Sequence, residues 1–307
     1  MIIRPKFNWL RMLFVIRGSV LPQIFPRLIF IFVLSSMVLF FHGELFSVKV
    51  SLNATPFTLM GIALALFLGF RNSAAYDRFW EARKLWGMLL NAARTLTRQV
   101  TTLTSLDRSS AEVGEFVNLI IAFVYTMKHQ LRRTDSLHDL QRLLSPELTE
   151  RIYKSHFQPP VILEEMSLWL KKRVQEKQLD PIALTVIDNN LTELSHILGG
   201  CERIANTPIP YPYTILLHRT VYIYCILLPF GLVDSIMWMT PLICVFVAYT
   251  FMALDAIVAQ IEDPFGVEDN DLALNTICLT VESTVREMRG EDAPAPPKLN
   301  LDQILWL

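Results

Sequence analysis

Four stretches of the chain, 28–41, 57–70, 220–233 and 236–254, are apolar and carry no charged residue. A helix needs about 20 apolar residues to cross a hydrocarbon core about 30 Å thick. The first stretch is short by that measure, and Pro26 with its neighbours extends it into a first span. The second lies behind Asn53 and Thr55, with Pro56 at a first helical position where a missing N–H costs nothing. It predicts a second span that does not stop at the membrane, because 71–87 contains no Pro and keeps helical patterning. One long helix is expected to leave the bilayer and continue into water. Only Asp234 and Ser235 separate the last two stretches. That spacing predicts a tight hairpin between a third and a fourth span.

Between Asn72 and Pro210 the pattern turns amphipathic and helical. Starts are marked at Ser145-Pro146-Glu147 and Asp180-Pro181, and no strand of period two stands out. The fold class expected is all-α. Near the start, Ile3, Phe7, Leu10 and Phe14 recur at helical spacing among basic residues, which reads as an amphipathic helix at a membrane surface. Residues 293–298 are too rich in proline for a helix, and no internal repeat is visible.

Composition refines this picture. Mean hydropathy is +0.37 and 52% of residues are hydrophobic, yet 19% are charged, so membrane-embedded and water-exposed segments alternate. A formal net charge of −1 gives no reason to expect a nucleic-acid partner. Residues 1–27 hold five Lys/Arg and no Asp/Glu, Arg71, Arg78, Arg83 and Lys84 follow the second span, and His218-Arg219 precede the third. The opposite loops carry only Lys49. By the positive-inside rule both termini and the 72–210 region of this multi-pass membrane protein are cytoplasmic. No small-residue cleavage site follows a clean apolar core, so the start is expected to be retained. The chain then divides into an amphipathic segment 1–27, two spans in 28–70, a helical cytoplasmic domain 71–213, two spans in 214–258 and a cytoplasmic acidic turn with C-terminal segment 259–307.

Catalytic chemistry is not indicated. Cys201, Cys225, Cys244 and Cys278 form no CxxC pair, and the six histidines show no metal-ligand pairing at i, i+4. Nor is there a G-x-S-x-G, HExxH or P-loop pattern. Arg219 and Asp255 at the span ends read as snorkelling or mutually paired. Glu81 and Arg83 are expected to pair with Lys84, Asp77 or a neighbouring subunit.

Several segments in order resemble the bestrophin family of ion channels: Arg17-Gly18-Ser19, the run 62–70 (IALALFLGF), the run 71–87, Asp180-Pro181-Ile182, and Asp263-Pro264-Phe265-Gly266 followed by Glu268, Asp269, Asn270 and Asp271. The likeness is to the short prokaryotic form, without the long C-terminal tail of animal members. It implies a homopentamer in the lipid bilayer, passing inorganic ions through an axial pore lined by the second span. Ile62, Leu66 and Phe70 lie on one helical face. In five copies they would stack as three apolar rings, a hydrophobic neck that gates by dewetting. Taken without the resemblance, the same stripe reads as ordinary packing.

The family's cytoplasmic aperture residue corresponds to Ile182. Its calcium clasp corresponds to Gln260, Asp263, Glu268, Asp269 and Asp271 around the Pro-Phe-Gly turn, the oxygen donors that a hard cation wants. Asp263 stands where animal members have Asn, and Glu268 where Asp is usual, which changes ligand reach and site charge. Calcium, another divalent ion, or salt bridges to the Arg-rich N-terminal segment are the readings left open there. Animal bestrophins pass chloride, which makes a channel for chloride and other small monovalent anions the first expectation. A sodium-type cation channel and a non-conducting membrane scaffold are the alternatives.

Overall fold

The computed structural model describes residues 10, 15–16, 18–45, 48–49 and 52–294. Most of the amphipathic helix expected before residue 18, and the proline-rich stretch beyond residue 294, lie outside the described residues. Among these the fold is helical, apart from a two-residue antiparallel ladder pairing Glu44 with Lys49 and Leu45 with Val48.

Helix α1 is Leu21–Phe40. Gly18 precedes it at φ 75°, a conformation that favours glycine, and the Ser19 hydroxyl accepts from the Leu21 N–H at 3.1 Å. Pro22 occupies the first turn, so the helix begins seven residues ahead of the uninterrupted apolar run and takes in Pro26. Helix α2, Ala54–Leu103, is continuous over 50 residues. At 1.5 Å per residue it is about 75 Å long, more than twice a hydrocarbon core. The long helix expected from the absence of proline is therefore present.

The described residues fall into two compact units. One holds Pro208–Pro264 with the chain up to Phe79; the other holds Trp80–Thr207 with the chain from Phe265 onward. In the first, helices α8 (Tyr211–Ile236) and α9 (Thr240–Ile261) pack on each other and on α1. Their common core includes Ile24, Ile31, Leu64, Leu68, Val221 and Cys244. Gly231 lets the Phe57 ring approach so closely that a Cβ would stand 2.6 Å from it, a small-residue contact suited to helices packed in lipid. The break between α8 and α9 differs from expectation. Asp234 and Ser235 remain helical, and the chain reverses at Met237–Met239, with Met237 at φ 45°. Polarity suggested the turn, but Pro241 places it: a proline is tolerated in the first turn of a helix, so the new helix starts at Thr240.

Among the described residues, three segments are long and apolar enough to cross a membrane: Leu21–Phe40, part of Thr55–Leu103, and Tyr211–Ile261, the last broken at Met237.

The second unit is built on α3 (Ala111–Arg132), α4 (Leu137–Leu143), α5 (Pro146–Tyr153), α6 (Gln158–Gln175), α7 (Pro181–Asn206) and α10 (Leu274–Arg289). Helix α3 is its centre, buried almost throughout and packed by α6, α10 and α4. The Phe116 and Trp169 rings stack at 4.8 Å between α3 and α6. The proline-marked starts are those expected, with Ser145 capping Leu148 and Asp180 capping Ile182.

Candidate functional site

Helix α2 has two opposite faces. Leu64, Leu68 and Ala75 are at most 2% exposed, whereas Ile62, Leu66 and Phe70 are 57%, 58% and 71% exposed. A phase of 100° per residue puts the two sets on opposite sides. The three residues singled out in the sequence thus form an uncovered apolar stripe on the unpacked face of the helix.

Ile182 belongs to the other unit, where it is 79% exposed in the first turn of α7. Its position is fixed by the preceding turn. Thr104 bridges to Leu179, the Ser105 N–H donates to the Gln178 carbonyl at 2.9 Å, and Arg173 holds the Gln178 side chain at 2.7 Å. The Asp180 carboxylate then accepts from the Ile182 N–H at 2.7 Å. Helix α7 is also tied to α2 through Asn190 and Gln99, at 3.2 Å.

Immediately after Phe70, the sequence reading missed a buried cation. Arg71 is 5% exposed and donates from Nη1 to Asp255 at 2.7 Å and from Nη2 to Glu262 at 3.2 Å. The other Asp255 oxygen pairs with His218 Nδ1 at 3.0 Å. Asp255 is therefore shared by α2 and α8 rather than paired with Arg219. Glu81 likewise pairs with Arg203 of α7, not along its own helix. No local periodicity signals partners this far apart in sequence.

The acidic turn straddles the two units. Gln260 and Asp263 belong to one; Glu268, Asp269 and Asp271 belong to the other. Asp263, Glu268 and Asp269 are exposed. Asp271 is buried, and its carboxylate accepts from the Glu268 N–H at 2.7 Å. Arg132, from the end of α3, donates to the Phe265 carbonyl at 3.3 Å and the Leu272 carbonyl at 3.2 Å, fastening both ends of the turn. Burial pulls the Arg132 guanidinium below its ordinary value, and the Asp271 carboxylate opposes that shift. One Asp271 oxygen and the Phe265 and Leu272 carbonyls thus have N–H donors, and among the described residues no group of three or more His, Cys, Asp or Glu gathers as metal ligands. The arginines of the N-terminal segment named as alternative partners lie outside the described residues.

The cysteines are buried free thiols. Outside the spans, burial pushes Cys201 and Cys278 up to about 12, far from a reactive thiolate.

A family model described as bacterial/fungal bestrophin protein matches residues 1–287. The chain belongs to the bestrophins. Over 291 residues, 95% of each chain, this bestrophin is 52% identical to a voltage-dependent anion channel-forming protein of Ralstonia nicotianae. It is 43% identical to the voltage-dependent anion channel-forming protein YneE of Escherichia coli K12, over 99% of this chain and 98% of that one. A crystal structure of a bacterial bestrophin homologue from Klebsiella pneumoniae matches with a TM-score of 0.83 and 41% identity, over 88% of this chain and 99% of that chain. The resemblance carried by the motifs is therefore family membership, and the family is one of ion channels rather than enzymes.

Proposed function

We propose that this bestrophin is an anion channel of a bacterial inner membrane, assembled from five copies around an axial pore, which passes chloride and other small monovalent anions. Helix α1, the first part of α2, α8 and α9 each cross the bilayer once, and both termini lie in the cytoplasm. The observation that carries the reading is the uncovered stripe of Ile62, Leu66 and Phe70, set opposite the packed face of its own helix, in a chain whose relatives are named anion channel-forming proteins. Five such stripes around an axis make a neck that offers ions no hydrogen bonds, so conduction depends on how wide and how wet it is. Ile182, exposed at a fixed helix start, forms the second constriction on the cytoplasmic side.

On this reading opening needs no divalent cation at the acidic turn, whose two ends Arg132 already fastens. Currents from purified protein in planar bilayers under a chloride salt gradient test both statements. The expected reversal potential lies toward the chloride equilibrium potential and does not change when calcium is added or chelated. A reversal toward the cation potential identifies a sodium-type channel, and absence of current from correctly folded protein identifies a scaffold. A calcium-dependent current would restore Gln260, Asp263, Glu268, Asp269 and Asp271 as a cation site.

A further inference from the structure

The charged group around Arg71 lies one residue from the last proposed neck ring. Its carboxylates come from α9 and the residue that caps it: Asp255, which takes Arg71 on one oxygen and His218 on the other, and Glu262, which takes the second Arg71 nitrogen. Arg78, two turns further along α2, donates to the Glu262 carbonyl at 3.3 Å. On α8 the His218 ring lies 4.4 Å from that of Tyr222, over which Arg27 of α1 sits at 5.7 Å. These titratable and charged groups, among the described residues, face the cluster from α1, α2, α8 and α9.

We infer that Arg71 is a positioning residue for the neck, and that His218 makes this clamp respond to protons. Resting on the neck reading above, the inference adds a regulatory input to it. The Arg71 side chain is only 4% exposed, so α2 cannot rotate at Phe70 without pulling a buried guanidinium from two carboxylates. His218 is half-exposed, so its ring is open to protons from solvent, and its contact with Asp255 is an ion pair only when the ring is protonated. Neutral or protonated, its Nδ1–H can donate to Asp255. That bond already has a charged acceptor, and protonation of the ring makes it an ion pair. The two cations use different oxygens of Asp255, so the stronger His218 bond adds to the Arg71 bond instead of displacing it. Acid therefore ties α8, α9 and α2 together more tightly just where the neck must widen.

The test is current through the full chain in bilayers, recorded from about pH 8 down to about pH 5.5 for wild type, His218→Gln and Asp255→Asn. Wild-type current is expected to fall on acidification by about threefold or more, in line with one half-exposed ion pair gained in each subunit. His218→Gln should lose that step while keeping its pH 8 current within the wild-type range, whereas Asp255→Asn, which also takes a carboxylate from Arg71, should lose the step and raise the pH 8 current. Gel filtration and thermal unfolding in detergent accompany each recording; if Asp255→Asn misfolds, His218→Gln alone decides. Identical pH profiles for wild type and His218→Gln would overturn the clamp and leave the channel reading intact. No current from any protein, wild type included, would instead overturn the channel reading.

Discussion

Glu282→Ala will destabilise the unit built on α3 and α10 more than any other single exchange of a charged side chain there, by about 3–5 kcal/mol, the cost of breaking a buried ion pair. The Glu282 side chain is 4% exposed and accepts from Arg142 at 2.5 and 3.0 Å, from Arg286 at 3.0 Å and from the Tyr125 hydroxyl at 2.9 Å. Alanine leaves the buried Tyr125 hydroxyl without its acceptor and two guanidiniums without their carboxylate. Arg142, 38% exposed, recovers some hydration, so the lower half of the range is the better expectation. Differential scanning fluorimetry of the purified variant measures the loss; a melting temperature equal to wild type would contradict it. Burial pushes the Glu282 carboxyl up, but hydrogen bonds from Arg142, Arg286 and Tyr125 outweigh it and hold the group below its ordinary 4.5. A depressed carboxylate adds stability above its unfolded value, and that stability fades as pH falls through the folded value. The difference between wild type and Glu282→Ala should accordingly shrink below about pH 4.5.

The backbone of this bestrophin was legible because its governing signals are local. Hydropathy marks the apolar segments, the lack of proline after Phe70 predicts one long α2, and Ser145-Pro146 and Asp180-Pro181 announce helices whose caps form as expected. The break between α8 and α9 was misplaced because Asp234 and Ser235 are polar, and polarity is a weaker guide than the first-turn preference of Pro241. The start of α3 was not announced either. Ser110 caps it without a neighbouring proline, and the Val113 N–H donates to its hydroxyl at 3.3 Å.

Side-chain partnerships were legible only where they run along one helix. The face shared by Ile62, Leu66 and Phe70 follows from their spacing, and the structure leaves it uncovered. Arg71 with Asp255 and Arg142 with Glu282 stand 184 and 140 residues apart in sequence, and nothing in the spacing of charges joins such positions before the helices are packed. The acidic turn shows the same limit from the other side. Its composition suggested a cation site, while the cation that fastens it, Arg132, comes from the end of α3.

Leu66→Ala and Phe70→Ala will raise open-channel current, each by roughly tenfold, and Ile62→Ala will do so less. A ring built from five copies changes five side chains at once, so lowering the barrier by only ~0.3 kcal/mol per subunit sums to about 1.5 kcal/mol, or roughly a factor of ten. The physical basis is that water wets a wider and less apolar tube, and ions cross only where water can. Packing on α2 makes the opposite prediction, and the two faces of the helix separate the cases. Leu66 and Phe70 are 58% and 71% exposed in the single chain, so their truncation should leave its folding stability within about 0.5 kcal/mol. Leu64 and Leu68, at 2% and 1%, are buried in the core of their unit, and alanine there should cost about 2–5 kcal/mol without a selective gain in current. Single-channel recordings paired with thermal unfolding resolve the two. If gating is unchanged in all three of Ile62→Ala, Leu66→Ala and Phe70→Ala, the neck does not lie on this helix.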